Sequence, residues 1–497
     1  MAGMPNIIVV LSDDQGAWAL GCAGNREIRT PIQDRLAREG MRFENFFCTS
    51  PVCSPARATL LTGRIPSQHG VHDWIRTGNL DDPNGTFTWG GVADRAIEYL
   101  AGIPAYTDFL AARGYACGMC GKWHLGDAIH PQKSFAWWFP HAWGGGPYYG
   151  APLVRNGVPY REPRYVTDAI TEGALEFLDW WERGPHASGQ PFYLSVHYTA
   201  PHSPWDRDNH PRELYDSYRQ GCAFISTPDE PPHPWQVPSE PSGTGERRKD
   251  LLSGYFSAIT AMDTGIGRIL EAVESRGIRK NTLVVFTSDN GMNMGHHGIW
   301  GKGDGTFPLN MYDTSVKVPL IVSMPGTVPE GRVSGELLSQ YDVLPTLAGF
   351  VGITVEGSAS LPGRSFVPLL RGAPMAGHTA VVVFDEYGPV RMVRTHEWKY
   401  VHRYPYGPHE LYSLTEDPEE RTNLYEHARE HPLAVGQIVT LKACLDEWFT
   451  RFADPAMDGS REGVTGGGQI GPAGTAGMGQ PAYYTGGWWH GEAGRSK

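Results

Sequence analysis

Apolar residues along the chain fall into short unbroken runs separated by stretches with helical spacing. "NIIVVLS" from Asn6, "MRFENFF" from Met41, "YACGMCG" from Tyr115, "FYLSVHY" from Phe192 and "TLVVFTS" from Thr282 read as strands. Between them, "TPIQDRLAREG" reads as a helix capped by Thr30, opened by Pro31 and stopped at Gly40. "TDFLAARG", "AITEGALEFLDWW" and "IGRILEAVESRG" read as further helices. This alternation predicts an α/β fold, a largely parallel sheet flanked by helices.

The rhythm changes toward the C-terminus. "AVVVFDEY", "VRMVRTHEWKYVHRY" and "ELYSLTEDPEERTNLYEH" suit short strands of an antiparallel sheet. A closing helix follows, with apolar residues at Val435, Ile438, Leu441, Leu445 and Phe449 and an end before Pro455. The expected division is a large α/β domain over 1–374, a smaller C-terminal α+β subdomain over 375–455 and a Gly-rich tail over 456–497. In that tail Tyr483, Tyr484, Trp488 and Trp489 are read as docking on the body or on a neighbouring subunit, with disorder as the alternative.

Composition narrows the function. A chain of 497 residues, 40% of them hydrophobic, can bury one large core and one small. A formal net charge of −12, with no Lys/Arg-rich run, argues against a nucleic-acid partner. The apolar runs fall far short of the roughly 18 residues that a membrane helix needs, so no membrane span is expected. The opening residues lack the pattern of a secretory signal, which gives the expectation of a cytoplasmic protein. Seven scattered cysteines, an odd number, do not suggest a disulfide framework. Cys117 and Cys120 have redox or zinc spacing but no second ligand pair, and core packing is the expected role.

Polar residues gather directly after the strands, where open α/β sheets place their working groups: Asp13 and Asp14, Cys53, Lys122 and His124, His202, Asp289 and Asn290. In "CSPARATLLTG" Ser54 and Pro55 start a helix and Gly63 stops it, so Cys53 stands at its N-terminus with Arg57 one turn on. Backbone N–H groups and the helix dipole favour an anion there. Two readings compete: a reactive cysteine or something derived from it, and a small buried hydrophobe. Asp13, Asp14, Asp289 and Asn290 offer only oxygen donors, which suits calcium or magnesium rather than zinc; the plain alternative is that they are turn residues.

"LSDDQG", the Cys-x-Pro-x-Arg core of "CSPAR" with "TGR" after it, "GKWHLG", "APHSPW", "SDNG" and "WGKG" occur in order over residues 11–302. Together they resemble the type I sulfatases of the alkaline-phosphatase-like superfamily. The resemblance implies that Cys53 is converted to formylglycine (3-oxoalanine) by a formylglycine-generating enzyme, and that a hydroxyl of the hydrated aldehyde attacks the sulfur of a sulfate ester. It implies Ca2+, or Mg2+, held by Asp13, Asp14, Asp289 and Asn290, with Arg57, Lys122 and His124 holding the diol and sulfate. His202 and Lys302 would serve the leaving side, with His202 chosen over His197 for its "PH" context. His296 and His297 either line the site or pack a loop, and the long spacer after Lys302, with Tyr312-Asp313, departs from the family pattern.

The expected activity is sulfuric ester hydrolysis, with a small-molecule or saccharide sulfate ester as substrate. In "QHGVHDWIRTGN", His72, Asp73, Trp74 and Arg76 are read as polar and stacking contacts to a sugar, which favours a carbohydrate sulfate over an aryl sulfate. The alternatives are an arylsulfatase, a phosphonate or phosphate monoester hydrolase, a cofactor-independent phosphomutase, and a non-catalytic sulfated-glycan binder should Cys53 stay a thiol. A homo-oligomer is left open.

Overall fold

The computed structural model describes residues 4–464 except 356 and 462. Its main sheet has ten strands: β1 (Asn6–Ser12), β2 (Met41–Phe47), β3 (Ala116–Lys122), β4 (Trp137–His141), β5 (Ala151–Arg155), β6 (Val158–Glu162), β7 (Phe192–His197), β8 (Thr282–Ser288), β9 (Leu320–Ser323) and β10 (Arg332–Ser339). In space they run β10-β2-β9-β8-β1-β7-β3-β4-β5-β6. The central strands β8, β1, β7, β3 and β4 are mutually parallel. Reversal is confined to the flanks, where β9 runs against both β8 and β2, and β5 against β4 and β6.

Every residue of β1 is buried, which explains its unbroken apolar run: both faces are covered. Ile7, Val9 and Leu11 pack on one face with Leu60, Leu110 and Leu347 from three helices. Ile8 and Val10 pack on the other with Phe177 and Met262. Cys117 and Cys120 stand an odd number of residues apart on β3 and therefore enter opposite cores. They are free thiols in packing roles.

Two local expectations change. "IGRILEAVESRG" is the last part of a 31-residue helix, Gly245–Ser275. Gly254 and Gly265 inside it are sites of close approach rather than breaks: a Cβ would come within 2.0 Å of the Trp205 carbonyl oxygen at the first and 2.5 Å of Thr171 Oγ1 at the second. The Pro31–Arg38 helix begins after Thr30, but the Thr30 side chain makes no capping bond. The buried Asp263 of the long helix accepts the Ile32 and Gln33 N–H groups instead, at 3.0 and 2.8 Å.

The second sheet is antiparallel: β11 (Val381–Asp385), β12 (Val390–Arg394), β13 (Trp398–Arg403) and β14 (Glu410–Ser413). The Ala434–Phe452 helix covers it with Leu441, Leu445 and Phe449. Val435, expected on that stripe, is 51% exposed, and Ala434 is buried in its place, because the first turn enters the core one residue earlier. The sheet is pinned to the loop ahead of Cys53: the Phe384 N–H donates to Thr49 O at 2.9 Å and Ser50 Oγ to Asp385 at 3.3 Å. Tyr483, Tyr484, Trp488 and Trp489 lie outside the described residues. Among the described residues no helix is long and apolar enough to cross a membrane.

Candidate active site

Register assembles the site. Ser12 of β1 pairs with Ser288 of β8, so Asp13-Asp14 and Asp289-Asn290 leave the sheet side by side. The Asp14 N–H, with Asp14 in the left-handed region, donates to Asp289 Oδ1 at 3.1 Å. β7 and then β3 follow on the other side of β1, and β3 ends at Lys122. The Cys53–Thr62 helix, buried at every residue and stopped by a left-handed Gly63, aims its first turn at this point.

Cys53 Sγ lies 3.6 Å from Asp13 Oδ1, 3.8 Å from Asp14 Oδ1 and 2.7 Å from Lys302 Nζ. Lys122 Nζ donates to both oxygens of Asp13, at 2.8 and 2.7 Å. Arg57 Nε donates to Asp289 Oδ2 at 2.8 Å, and Lys302 Nζ to Asp14 Oδ1 at 2.8 Å. Three buried carboxylates thus face three buried cations. Burial raises Asp13. Burial would raise Asp14 as well, but Lys302, His202 and Lys122 together hold it below the usual carboxylate range. Burial pushes the Cys53 thiol well above its ordinary value despite Lys122 and Lys302, so the unmodified side chain is a thiol and not a thiolate. For Lys302, burial works toward neutrality and is outweighed by Asp14, Cys53 and Asp304, which keep it charged.

The histidines divide by position. His202 Nδ1–H donates to Ser203 O at 2.8 Å, which turns Nε2 toward Asp14 at 3.7 Å. Burial draws its ring down to about 4 against the pull of Asp14. His197 Nδ1–H donates to Lys122 O at 3.2 Å and braces the backbone behind the site. His124 is buried, with Nε2–H donating to Ile75 O at 2.9 Å. Gly144 and Gly145 press on two of these rings: a Cβ would lie 2.4 Å from His124 Nε2 and 2.5 Å from His202 Cε1. His296 packs on Trp18 and His297 stacks on Tyr312 at 3.8 Å, lining a separate cavity of about 400 Å³ with Glu419 and Arg421. Asp313, part of the departure after Lys302, is an anchor for the small sheet through Lys399 and Arg394.

The loop after the Cys53 helix is less open than its sequence suggests. His72 and Asp73 are each 2% exposed, Arg76 is half-buried, and Trp74 is the exposed member. Asp73 feels the charges of Asp385, Asp304 and Lys302. Four further groups about the site escaped the sequence reading: His141, Glu240, Asp304 and Asp385. His141 ends β4 in register with Lys122, and its charged neighbours include Lys122, His202 and Arg57. The available signal was its place after the apolar run "AWWFP".

The donor set fits a hard divalent cation. Ligand atoms of Asp13, Asp14 and Cys53 lie within 4.8 Å of one another, the one such group among the described residues. Asn290 Oδ1, fully buried, has no hydrogen-bond partner among the described residues, as a carbonyl oxygen reserved for a cation would.

The sulfatase family model matches residues 5–353, and the model for the C-terminal part of N-sulphoglucosamine sulphohydrolase matches 295–444. The chain belongs to the sulfatase family. This sulfatase is 26% identical over 501 residues to N-acetylglucosamine-6-O-sulfatase of Bacteroides thetaiotaomicron, covering 85% of this chain and 83% of that one. It is 31% identical over 401 residues to N-acetylgalactosamine-6-sulfatase of Mus musculus, covering 75% and 67%. Its fold matches, with a TM-score of 0.72 at 24% identity, a protein solved with its substrate D-glucosamine-2-N,6-O-disulfate; the match covers 92% of this sulfatase and 99% of that chain.

Proposed function

We propose that this sulfatase releases inorganic sulfate from a carbohydrate sulfate, with Cys53 converted to formylglycine by a formylglycine-generating enzyme and Ca2+ held by Asp13, Asp14, Asp289 and Asn290. The observation that carries the reading is the environment of Cys53: a buried, protonated thiol at a helix N-terminus, 2.7 Å from Lys302 and faced by Asp13 and Asp14. A thiol so placed is a poor nucleophile, whereas a hydroxyl-bearing group at the same point meets the charges that would ionise it. The two sugar sulfatases that this chain resembles support the carbohydrate class.

When bound, the cation and the hydrated aldehyde supply an ionised oxygen nucleophile and part of the charge that offsets the sulfate. The protein's own groups do the rest. Arg57 keeps Asp289 ionised and in place through its 2.8 Å bond. Lys122 and Lys302 are fixed charges able to turn from Asp13 and Asp14 toward sulfate oxygens. His202 presents Nε2 to the leaving oxygen with Nδ1 anchored on Ser203. Neutral at rest, the ring gains proton affinity when an anionic ester lies against it, and it then protonates the departing alkoxide.

Mass spectrometry of the tryptic peptide ending at Arg57, combined with sulfate release from N-acetylglucosamine 6-sulfate, tests the reading. An aldehyde mass with sulfate release supports it. A thiol mass from a host that has the modifying enzyme, with no release from any sugar sulfate, overturns it in favour of glycan binding.

A further inference from the structure

The spacer after Lys302, where the sequence departs from the family pattern, folds back on Lys302 itself. Gly303 and Gly305 give its first turn a backbone with little intrinsic preference. Asn310 closes that turn. Its Nδ2 lies 2.9 Å from Lys302 O, 3.1 Å from Gly303 O and 3.2 Å from Thr306 Oγ1, and its backbone N–H donates to Gly303 O at 3.1 Å. Two of the side chain's neighbours are carbonyl oxygens, so the NH2 side of the amide must face them.

The amide is itself held. Asn310 Oδ1 accepts from Ser315 Oγ at 2.6 Å, and Ser315 Oγ accepts from Asn293 Nδ2 at 2.7 Å. Asn293 Nδ2 also donates to Gly301 O at 2.7 Å, and the Asn293 N–H reaches the same oxygen at 3.1 Å. Thr314 Oγ1 donates to Asn293 Oδ1. The Gly291 N–H, directly after the ligand candidate Asn290, donates to Ser315 O at 2.9 Å. Asn293 and Ser315 are fully buried and Asn310 is 1% exposed, and each of their side-chain polar atoms has a partner. Two asparagines therefore hold the carbonyls of Gly301, Lys302 and Gly303, one from the loop after β8 and one from the spacer.

Lys302 needs such a frame. Its ammonium ends a flexible four-carbon stem, yet stands 2.7 Å from Cys53 Sγ and 2.8 Å from Asp14 Oδ1. A charge assists a developing oxyanion to the extent that it is already in place, and a fully satisfied buried polar network is rigid. We infer that Asn310, oriented by Ser315 and backed by Asn293, is a positioning residue for Lys302. It fixes the backbone from which the ammonium reaches the Cys53 position, and the length of the spacer serves this closure. The inference rests on the role proposed for Lys302 above.

A double-mutant cycle on sulfate release from N-acetylglucosamine 6-sulfate tests it. With Lys302 present, Asn310→Ala should lower kcat about 10- to 100-fold, as a small misplacement of a catalytic group does. In the Lys302→Ala background the same change should cost less than about twofold, while lowering Tm equally in both backgrounds. A purely structural role gives equal kcat losses in the two backgrounds, and that result overturns the inference. So does a loss below about twofold when Lys302 is present. Should Asn310→Ala not fold, Ser315→Ala enters the same cycle with the same expected pattern, since it deprives the Asn310 amide of its orienting donor. The rise in Tm with sodium sulfate gives a readout free of turnover. Asn310→Ala should shrink that rise when Lys302 is present and leave it unchanged in Lys302→Ala. That pattern without ester cleavage supports the positioning role while the proposed hydrolysis fails by itself. An equal change in both backgrounds, or none, refutes the role, and a wild-type protein that neither cleaves an ester nor responds to sulfate refutes both readings.

Discussion

Lys302 Nζ stands 2.7 Å from Cys53 Sγ, and its second contact is Asp14 Oδ1 at 2.8 Å. One ammonium thus touches both Cys53 and a metal-ligand candidate. Replacing it should remove charge from the developing oxyanion and leave Asp14 without its nearest cation. Lys302→Ala should lower kcat about 10²- to 10³-fold, the usual loss for one preorganised donor. Lys302→Arg should recover part of that loss. Steady-state sulfate release decides; a loss below about threefold would contradict the role.

Calcium should stabilise the folded chain, because the donor set is assembled only there. At 100 times its Kd the ion adds about 2.7 kcal/mol. Differential scanning fluorimetry with calcium and with chelator should show the rise, and Asn290→Ala should shrink it, since Asn290 Oδ1 is the buried oxygen without another partner. An equal rise in the variant would remove Asn290 from the ligand set.

Asp263 gives a pH signature remote from the chemistry. Burial raises its carboxyl to about 7, against the Ile32 and Gln33 N–H bonds. The folded state keeps the proton that the unfolded chain releases near the ordinary carboxyl value. Its stabilising contribution is full below pH about 4 and is lost as pH rises toward 7, by about 4 kcal/mol as an upper bound. Asp263→Asn cannot titrate, so its Tm relative to wild type should improve steadily between pH 4 and 7. A constant difference would refute the shift.

Gly145 seats the His202 ring. A methyl group there would meet Cε1 at 2.5 Å and force the imidazole aside. Gly145→Ala should lower kcat for alkyl sulfates, whose alkoxide needs a proton, more than for 4-nitrophenyl sulfate, whose leaving group does not. Equal losses on both substrates would point to a structural effect alone.

The parallel centre of the sheet and the cage at its carboxyl edge were legible because each rests on a local signal: fully apolar strands, and polar residues directly after them. Asp13, Asp14, Lys122 and Asp289 come together because adjacent parallel strands end at one edge, and the Cys53 helix reaches that edge from β2, beyond the antiparallel β9. The Gly245–Ser275 helix was seen only in its last part, since glycines that serve close packing look like breaks in a sequence. Asp304, Asp385 and Glu240 were hidden for another reason. They meet only through tertiary structure, Asp385 arriving on a strand of the small sheet. His72 looked available because a polar loop residue ordinarily is, yet this loop folds inward.

Cys53 is 2% exposed, and all ten residues of its helix are buried beneath the strands and loops that form the cage. Under the maturation proposed above, an enzyme acting on Cys53 would find it out of reach in this folded form. On that proposal maturation and folding would compete: a chain that closes its sheet first would keep a thiol. The yield of active protein then reports how quickly the segment was reached during synthesis, and a preparation can be fully folded, thermally normal and still only partly competent.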